Sequence, residues 1–140
     1  MHMPLDILLV EDNQGDVEMI RHALKTAHLK SLLVVTNNGD QALHYLKSEQ
    51  GLAAPPKLIL LDMNMPKMGG KQFLSSVKAD PKLKAIPVVM FTSSQSPDDI
   101  RDCYERQASL YVVKPFDIHE YAAAIHQVVG LWGGPGQLPI

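Results

Sequence analysis

Five short apolar runs set the terms on which this chain can fold: residues 7–10, 32–35, 58–61, 87–91 and 110–113. Each is rich in Val, Ile and Leu, and none alternates with polar residues as a strand with one wet face would. Continuous runs of this length read as strands covered on both faces, which is the condition of a parallel sheet. Their starts lie roughly 22–30 residues apart, enough for a helix and two turns between consecutive strands.

The intervening segments carry helical signals. Val17, Ile20, Leu24 and Ala27 fall at helical spacing, as do Ala42, Leu43 and Leu46 after the turn Asn38-Gly39-Asp40. Phe73, Leu74 and Val77 follow Gly69-Gly70, in a helix that must stop before Pro81. Ser96-Pro97-Asp98-Asp99 supplies a cap, a first-position proline and acids against the helix dipole. Asp117-Ile118-His119-Glu120 resembles a capping box, and Ile118, Tyr121, Ile125, Val128 and Trp132 give the last helix a buried stripe. Residues 50–57, with Pro55-Pro56, read as a loop, and residues 130–140 as an irregular Gly-rich tail.

Strict alternation of strand and helix implies a parallel sheet with right-handed crossovers. At 140 residues and 46% hydrophobic, the chain suits one domain of five strands and five helices, here residues 1–129, with the last helix running to about 132. An eight-stranded barrel needs about 250 residues. The net charge of −2 predicts no direct nucleic-acid binding. One cysteine, Cys103, excludes an intramolecular disulfide and reads as a core residue. No run is long enough for a membrane helix, and the start lacks a signal peptide's basic region, so a cytoplasmic location is expected. The six histidines are scattered and read as surface or cap residues.

In a doubly wound sheet, ligands bind beyond the carboxyl ends of the strands, where the strand order switches. The residues ending each strand are therefore the informative ones. Strand one ends in Glu11-Asp12-Asn13, strand three in Asp62 with Asn64 beyond it, strand four in Thr92-Ser93-Ser94 and strand five in Lys114-Pro115. Taken singly, each has an ordinary explanation: Glu11 and Asp12 flank a helix start, Asp62 and Thr92 close strands, Lys114 precedes a proline turn. Together, in the order 2-1-3-4-5, they bring three acids, a hydroxyl and a lysine to one edge. Crowded carboxylates raise one another's pKa unless a cation compensates. All-oxygen ligands with open positions favour Mg²⁺, with Lys114 and Thr92 suited to a second anion. The set reads as Mg²⁺-assisted phosphoryl transfer with a carboxylate acceptor.

These residues resemble the receiver domain of two-component response regulators over about residues 5–129. The likeness rests on Leu9-Val10-Glu11-Asp12-Asn13, Leu60-Leu61-Asp62-Met63-Asn64-Met65-Pro66 with Gly69-Gly70, Phe91-Thr92-Ser93-Ser94, and Tyr111-Val112-Val113-Lys114-Pro115-Phe116. It implies a flavodoxin-like fold in which Asp62 accepts a phosphoryl group from a sensor histidine kinase. It further implies that Asp12 binds Mg²⁺ directly, Glu11 through water and Asn64 through its carbonyl. Thr92 and Lys114 would hold the phosphoryl oxygens, and Thr92 with Tyr111 would form the switch. Asn64 and Ser94 occupy the positions that tune phosphoryl lifetime in the family. Gly69 departs from the family's frequent Asp, and small Ser93 leaves access to Asp62. The loop at 50–57 and the Trp132-containing tail resemble single-domain receivers paired with phytochrome-type kinases. A homodimer through the fourth and fifth helices of the receiver, or through the tail with Leu138-Pro139-Ile140, is the expected association. Two rivals remain at this point: a small aspartyl-nucleophile phosphatase, disfavoured by Asn64 where that class prefers Asp, and an unphosphorylated adaptor receiver. A flavodoxin is disfavoured because Glu11-Asp12 would repel a flavin phosphate.

Overall fold

The computed structural model describes residues 5–27 and 32–133. The elements run β1 (Ile7–Val10), α1 (Gln14–Thr26), β2 (Leu33–Thr36), α2 (Gly39–Lys47), α3 (Glu49–Ala53), β3 (Leu58–Leu61), α4 (Gly70–Ala79), β4 (Val88–Thr92), α5 (Pro97–Glu105), β5 (Leu110–Val113) and α6 (Ile118–Gly133). The strands form one parallel sheet in the order β2-β1-β3-β4-β5. The flavodoxin-like topology expected from the apolar runs is therefore the one observed.

Because strand side chains alternate between faces, each apolar run feeds two cores. Leu8, Val10, Ile59, Leu61, Val88 and Met90 pack on one side with Ala42, Leu46, Phe73, Leu74, Val77 and Cys103 from α2, α4 and α5. Ile7, Leu9, Leu58, Leu60, Val89 and Phe91 pack on the other with Val17, Ile20, Leu24, Tyr121, Ile125 and Val128 from α1 and α6. Both cores need apolar side chains at successive positions, which is why the runs do not alternate. The edge strands β2 and β5 are only half-buried, apart from Thr36, since each has a neighbour on one side alone. His126 ties α6 to α1, its Nε2 lying 2.9 Å from the Ala23 carbonyl oxygen and 3.0 Å from Thr26 Oγ1.

The helix starts follow their caps. Asn13, Asn38, Ser48 and Ser96 each accept a backbone N–H in the first turn of α1, α2, α3 and α5. Asp117 accepts from the backbone N–H groups of His119 and Glu120 at the start of α6.

Four expectations change. The segment expected to be a loop at 50–57 holds the short sixth helix α3, because Ser48 caps it before Pro55 can break the pattern. Ile118 is exposed rather than part of the buried stripe, since it sits in the first turn of α6 beyond the sheet edge. The helix continues to Gly133, one residue past the expected end near 132, so the tail read over 130–140 gives up its first residues, Leu131 and half-buried Trp132 among them, to α6. Leu138-Pro139-Ile140 lie outside the described residues. Strands β2 and β4 each run one residue further than expected, to Thr36 and Thr92, which completes the ladder beside the polar strand ends.

One glycine is required by packing against the site. The Gly70 N–H donates to the Met63 carbonyl, at 3.0 Å. A Cβ there would clash with the Asp62 carbonyl oxygen and lie 2.8 Å from Met63 Cα, both backbone atoms that have little room to yield. Gly70→Ala is expected to cost about 1–3 kcal/mol in urea denaturation. An unchanged midpoint would mean that the loop after β3 relaxes freely and does not fix Asp62.

Candidate functional site

The ladder carries the polar strand ends into one cluster. Asp62 N–H donates to the Val10 carbonyl at 3.0 Å, Glu11 N–H to the Thr36 carbonyl at 2.9 Å, and Lys114 N–H to the Thr92 carbonyl at 2.8 Å. Each residue thus continues a strand by one position, and its side chain leaves the sheet at the carboxyl edge. One carboxylate oxygen each from Glu11, Asp12 and Asp62 lie within 4.8 Å of one another. Glu11 and Asp62 are buried, and Asp12 is exposed.

Lys114 stands in the middle. Its Nζ donates to Glu11 Oε1 at 2.6 Å and to Asp16 Oδ2 at 3.1 Å, and lies 3.8 Å from Asp62 Oδ1. Burial alone would drag the ammonium's pKa down, but the bond to Glu11 and the charges of Asp62, Glu11 and Asp16 outweigh it, so its pKa stands above the ordinary lysine value. Glu11 shows the opposite balance: burial pushes it up to about 7 against the pull of Lys114, with Asp62 raising it further. A cluster of this composition, all oxygen and short of positive charge, fits a hard divalent cation.

Thr92 closes β4 fully buried, and its Oγ1 has no hydrogen-bond partner. An unpaired buried hydroxyl costs about 1–3 kcal/mol. Such a group, at the carboxyl end of the strand between β3 and β5, is a donor suited to an incoming anion. The arrangement can therefore hold a cation on its acidic side and an anion on its hydroxyl and lysine side. Asn64 lies exposed in the loop after Asp62, and Ser93 is exposed.

The structure brings Glu11, Asp12, Asp62 and Lys114 together and sets Thr92 at the end of the adjoining strand. Tyr111 lies on β5, three residues before Lys114, half-buried, its hydroxyl donating to the Ser94 carbonyl at 2.9 Å. Ser94 is also gripped through its side chain, which donates to Asp99 Oδ2 at 2.6 Å. Asp99 Oδ1 accepts from Lys71 Nζ at 2.8 Å, and the same ammonium lies 3.0 Å from Asp102, which pairs with Arg106. The loop after β4 is thereby fastened to α4 and α5.

Sequence reasoning missed Asp16, Tyr121, Lys71 and Asp99. Asp16 was readable only as a first-turn acid of α1. Helical side chains tilt toward the N-terminus, so a first-turn acid can reach back over the sheet edge. That it meets Lys114, 98 residues away, depends on the sheet order.

A doubly wound sheet whose carboxyl edge gathers three acids, a buried lysine and an unpaired threonine hydroxyl defines a receiver-type signalling domain. The family model for the response regulator receiver domain matches residues 7–126, and the chain belongs to that family. It is 34% identical over 131 residues to response regulator Rcp1 of Synechocystis, covering 92% of this chain and 89% of Rcp1. It is likewise 34% identical to a probable methanogenesis regulatory protein, FilR2, of Methanothrix harundinacea, covering 97% of this chain and 88% of that one. The phosphorylated cyanobacterial phytochrome response regulator RcpA superposes with a TM-score of 0.90 at 33% identity, covering 99% of this chain and all of that one. The Mn²⁺-bound form of Rcp1 superposes with a TM-score of 0.88 at 33% identity, covering 98% of this chain and 100% of that one. Among the described residues no helix is long and apolar enough to cross a membrane.

The Lys71 cluster has a defined pH signature. Hydrogen bonds from Lys71 and Ser94 hold Asp99 below its ordinary value of 3.8, and those from Arg106 and Lys71 do the same for Asp102. Their stabilisation is present above that value and is lost as pH falls through the depressed folded values. Lys71→Met should therefore melt below wild type at about pH 6, where Asp99 and Asp102 are both ionised, with the gap closing as pH drops below 3.8. A gap that is constant down to acid would show that Lys71 acts through packing alone.

Proposed function

We propose that the protein is a stand-alone response regulator in which Asp62 accepts a phosphoryl group from a sensor histidine kinase. The observation that carries this is the position of Asp62 between a buried ammonium and the sheet end where an unsatisfied threonine hydroxyl waits. Mg²⁺ would be held by Glu11, Asp12, Asp62 and the carbonyl of Asn64, where it would offset carboxylate repulsion and neutralise charge on the transferred group.

The chain's own residues divide the remaining work. A carboxylate oxygen of Asp62 forms the new bond to phosphorus as the bond to the donor nitrogen breaks, and the donor leaves as imidazole. Thr92 Oγ1 and Lys114 Nζ bind the phosphoryl oxygens, and water later returns Asp62 to its free form. The transferred group adds about −1.5 to −2 charge at one point. Drawing Thr92 toward it moves the end of β4, and Tyr111, bonded to the loop that follows, shifts with it. Packed elements with two arrangements amplify such a small pull.

The relatives extend the reading. RcpA is named a cyanobacterial phytochrome response regulator, which supports a phytochrome-type kinase as the donor. The signal would pass by association of copies through the α5–α6 face or the C-terminal segment, without nucleic acid as a direct partner.

Incubation with acetyl phosphate and Mg²⁺ should add one phosphoryl group, read by intact mass. Asp62→Asn should add none, and chelation by EDTA should abolish uptake by the wild type. Uptake by Asp62→Asn equal to wild type would overturn the assignment.

A further inference from the structure

We infer that Asp16 is a positioning residue that holds Lys114 away from Asp62 and competes with the phosphoryl group for its ammonium. The inference rests on Asp62 being the acceptor. It starts from an asymmetry: Lys114 makes hydrogen bonds at 2.6 Å to Glu11 and 3.1 Å to Asp16, but stands 3.8 Å from Asp62, beyond hydrogen-bond reach. Two of the three ammonium protons are thus spent on the α1 side of the edge.

For Lys114 to bind an anion on Asp62, one of its two contacts has to lengthen, and they are not equally easy to give up. Glu11 is 1% exposed, and Lys114 is the one cation paired with it among the described residues. Removing that partner strands a buried carboxylate, which is strongly unfavourable. Asp16 has a more exposed side chain, at 21%. It also keeps a second donor, because the Tyr121 hydroxyl donates to Asp16 Oδ1 at 2.7 Å. Asp16 can therefore release the lysine and remain hydrogen-bonded.

Tyr121 makes this more than a local trade. It is buried in α6, and its ring meets Phe91 edge-on with centroids 5.1 Å apart. Phe91 directly precedes Thr92, and its ring has the Lys114 ammonium 6.0 Å from its centroid. One tyrosine is thus in contact with the partner of the lysine and with the neighbour of the threonine. Release of Lys114 leaves Asp16 held by Tyr121 alone, so the state of the site is passed to the α1–α6 pair.

The probe is beryllofluoride, a tetrahedral phosphoryl mimic, titrated with Mg²⁺ and followed by fluorine NMR. Asp16→Asn keeps an acceptor for Tyr121 and removes the charge holding Lys114, so the mimic should bind about tenfold tighter. Tyr121→Phe should act oppositely and weaken binding, because Asp16 is left with Lys114 as its one side-chain donor. In a Lys114→Ala background, Asp16→Asn should change nothing. Glu18→Gln, an acid on the same helix outside the cluster, should bind as wild type does. Unchanged or weaker binding by Asp16→Asn would overturn the inference. So would an effect that survives loss of Lys114, or an equal gain from Glu18→Gln, which would mark general charge relief. Failure of the wild type to bind the mimic at all would instead overturn the acceptor reading.

Discussion

A single buried ammonium organises the carboxyl edge of this sheet. Without Lys114, Glu11 and Asp62 would face each other across a dry edge with no cation beside them, and like charges so placed cannot both stay ionised. With it, the cluster is held but not satisfied: burial still pushes Glu11 up to about 7, and the acids outnumber the cation. That residual deficit of positive charge is what makes the edge a site. A fully neutralised network would be a structural feature, whereas one left short of charge has a reason to recruit a divalent ion.

The fold produces this edge by a division of labour within each strand. The body of the strand is apolar on both faces because helices cover both faces. The first residue past each strand escapes that cover and can be charged. The register then decides which charges meet. Val10 pairs with Leu61, so Glu11 and Asp62 leave the sheet side by side. Thr92 pairs with Val113, so Lys114 emerges one position past the threonine's partner, its N–H bonded to the Thr92 carbonyl. The crossover that places β1 between β2 and β3 opens the space into which these side chains point. Gly70 completes the geometry by letting the first turn of α4 lie against the backbone of Asp62 and Met63.

Much of this was legible in the sequence because the sheet imposes simple rules. Non-alternating Val, Ile and Leu runs announce strands, and a parallel order makes their last residues neighbours. Glu11, Asp12, Asp62, Thr92 and Lys114 could therefore be gathered without coordinates. Helical additions were harder. The short α3 hides because five residues give too little periodicity, and its sign was the single cap Ser48. Ile118 follows the stripe of α6 in sequence, but the stripe is buried only where the sheet lies beneath it. Asp16 and Tyr121, or Lys71 and Asp99, meet only because particular helices lie side by side. No local pattern encodes such pairs, since each partner reads as an ordinary surface or core residue by itself.

The two helical layers are wired to the edge through different atoms. On the α4–α5 side, the connection runs from Thr92 through the loop to Ser94, which binds both the Tyr111 hydroxyl and Asp99, and then to Lys71. On the α1–α6 side, it runs from Lys114 through Asp16 to Tyr121. The first path consists of hydrogen bonds to a loop, where backbone movement costs little. The second ends in a buried aromatic packed on the central sheet, where movement requires core side chains to rearrange. A phosphoryl group on Asp62, as proposed, would therefore displace the α4–α5 side further while loading the α1–α6 side with less motion and more strain. A surface that changes shape serves recognition of a new partner, and a stiff one serves a contact kept throughout. The asymmetry between the two faces is thus set by which residue of the site each is tied to.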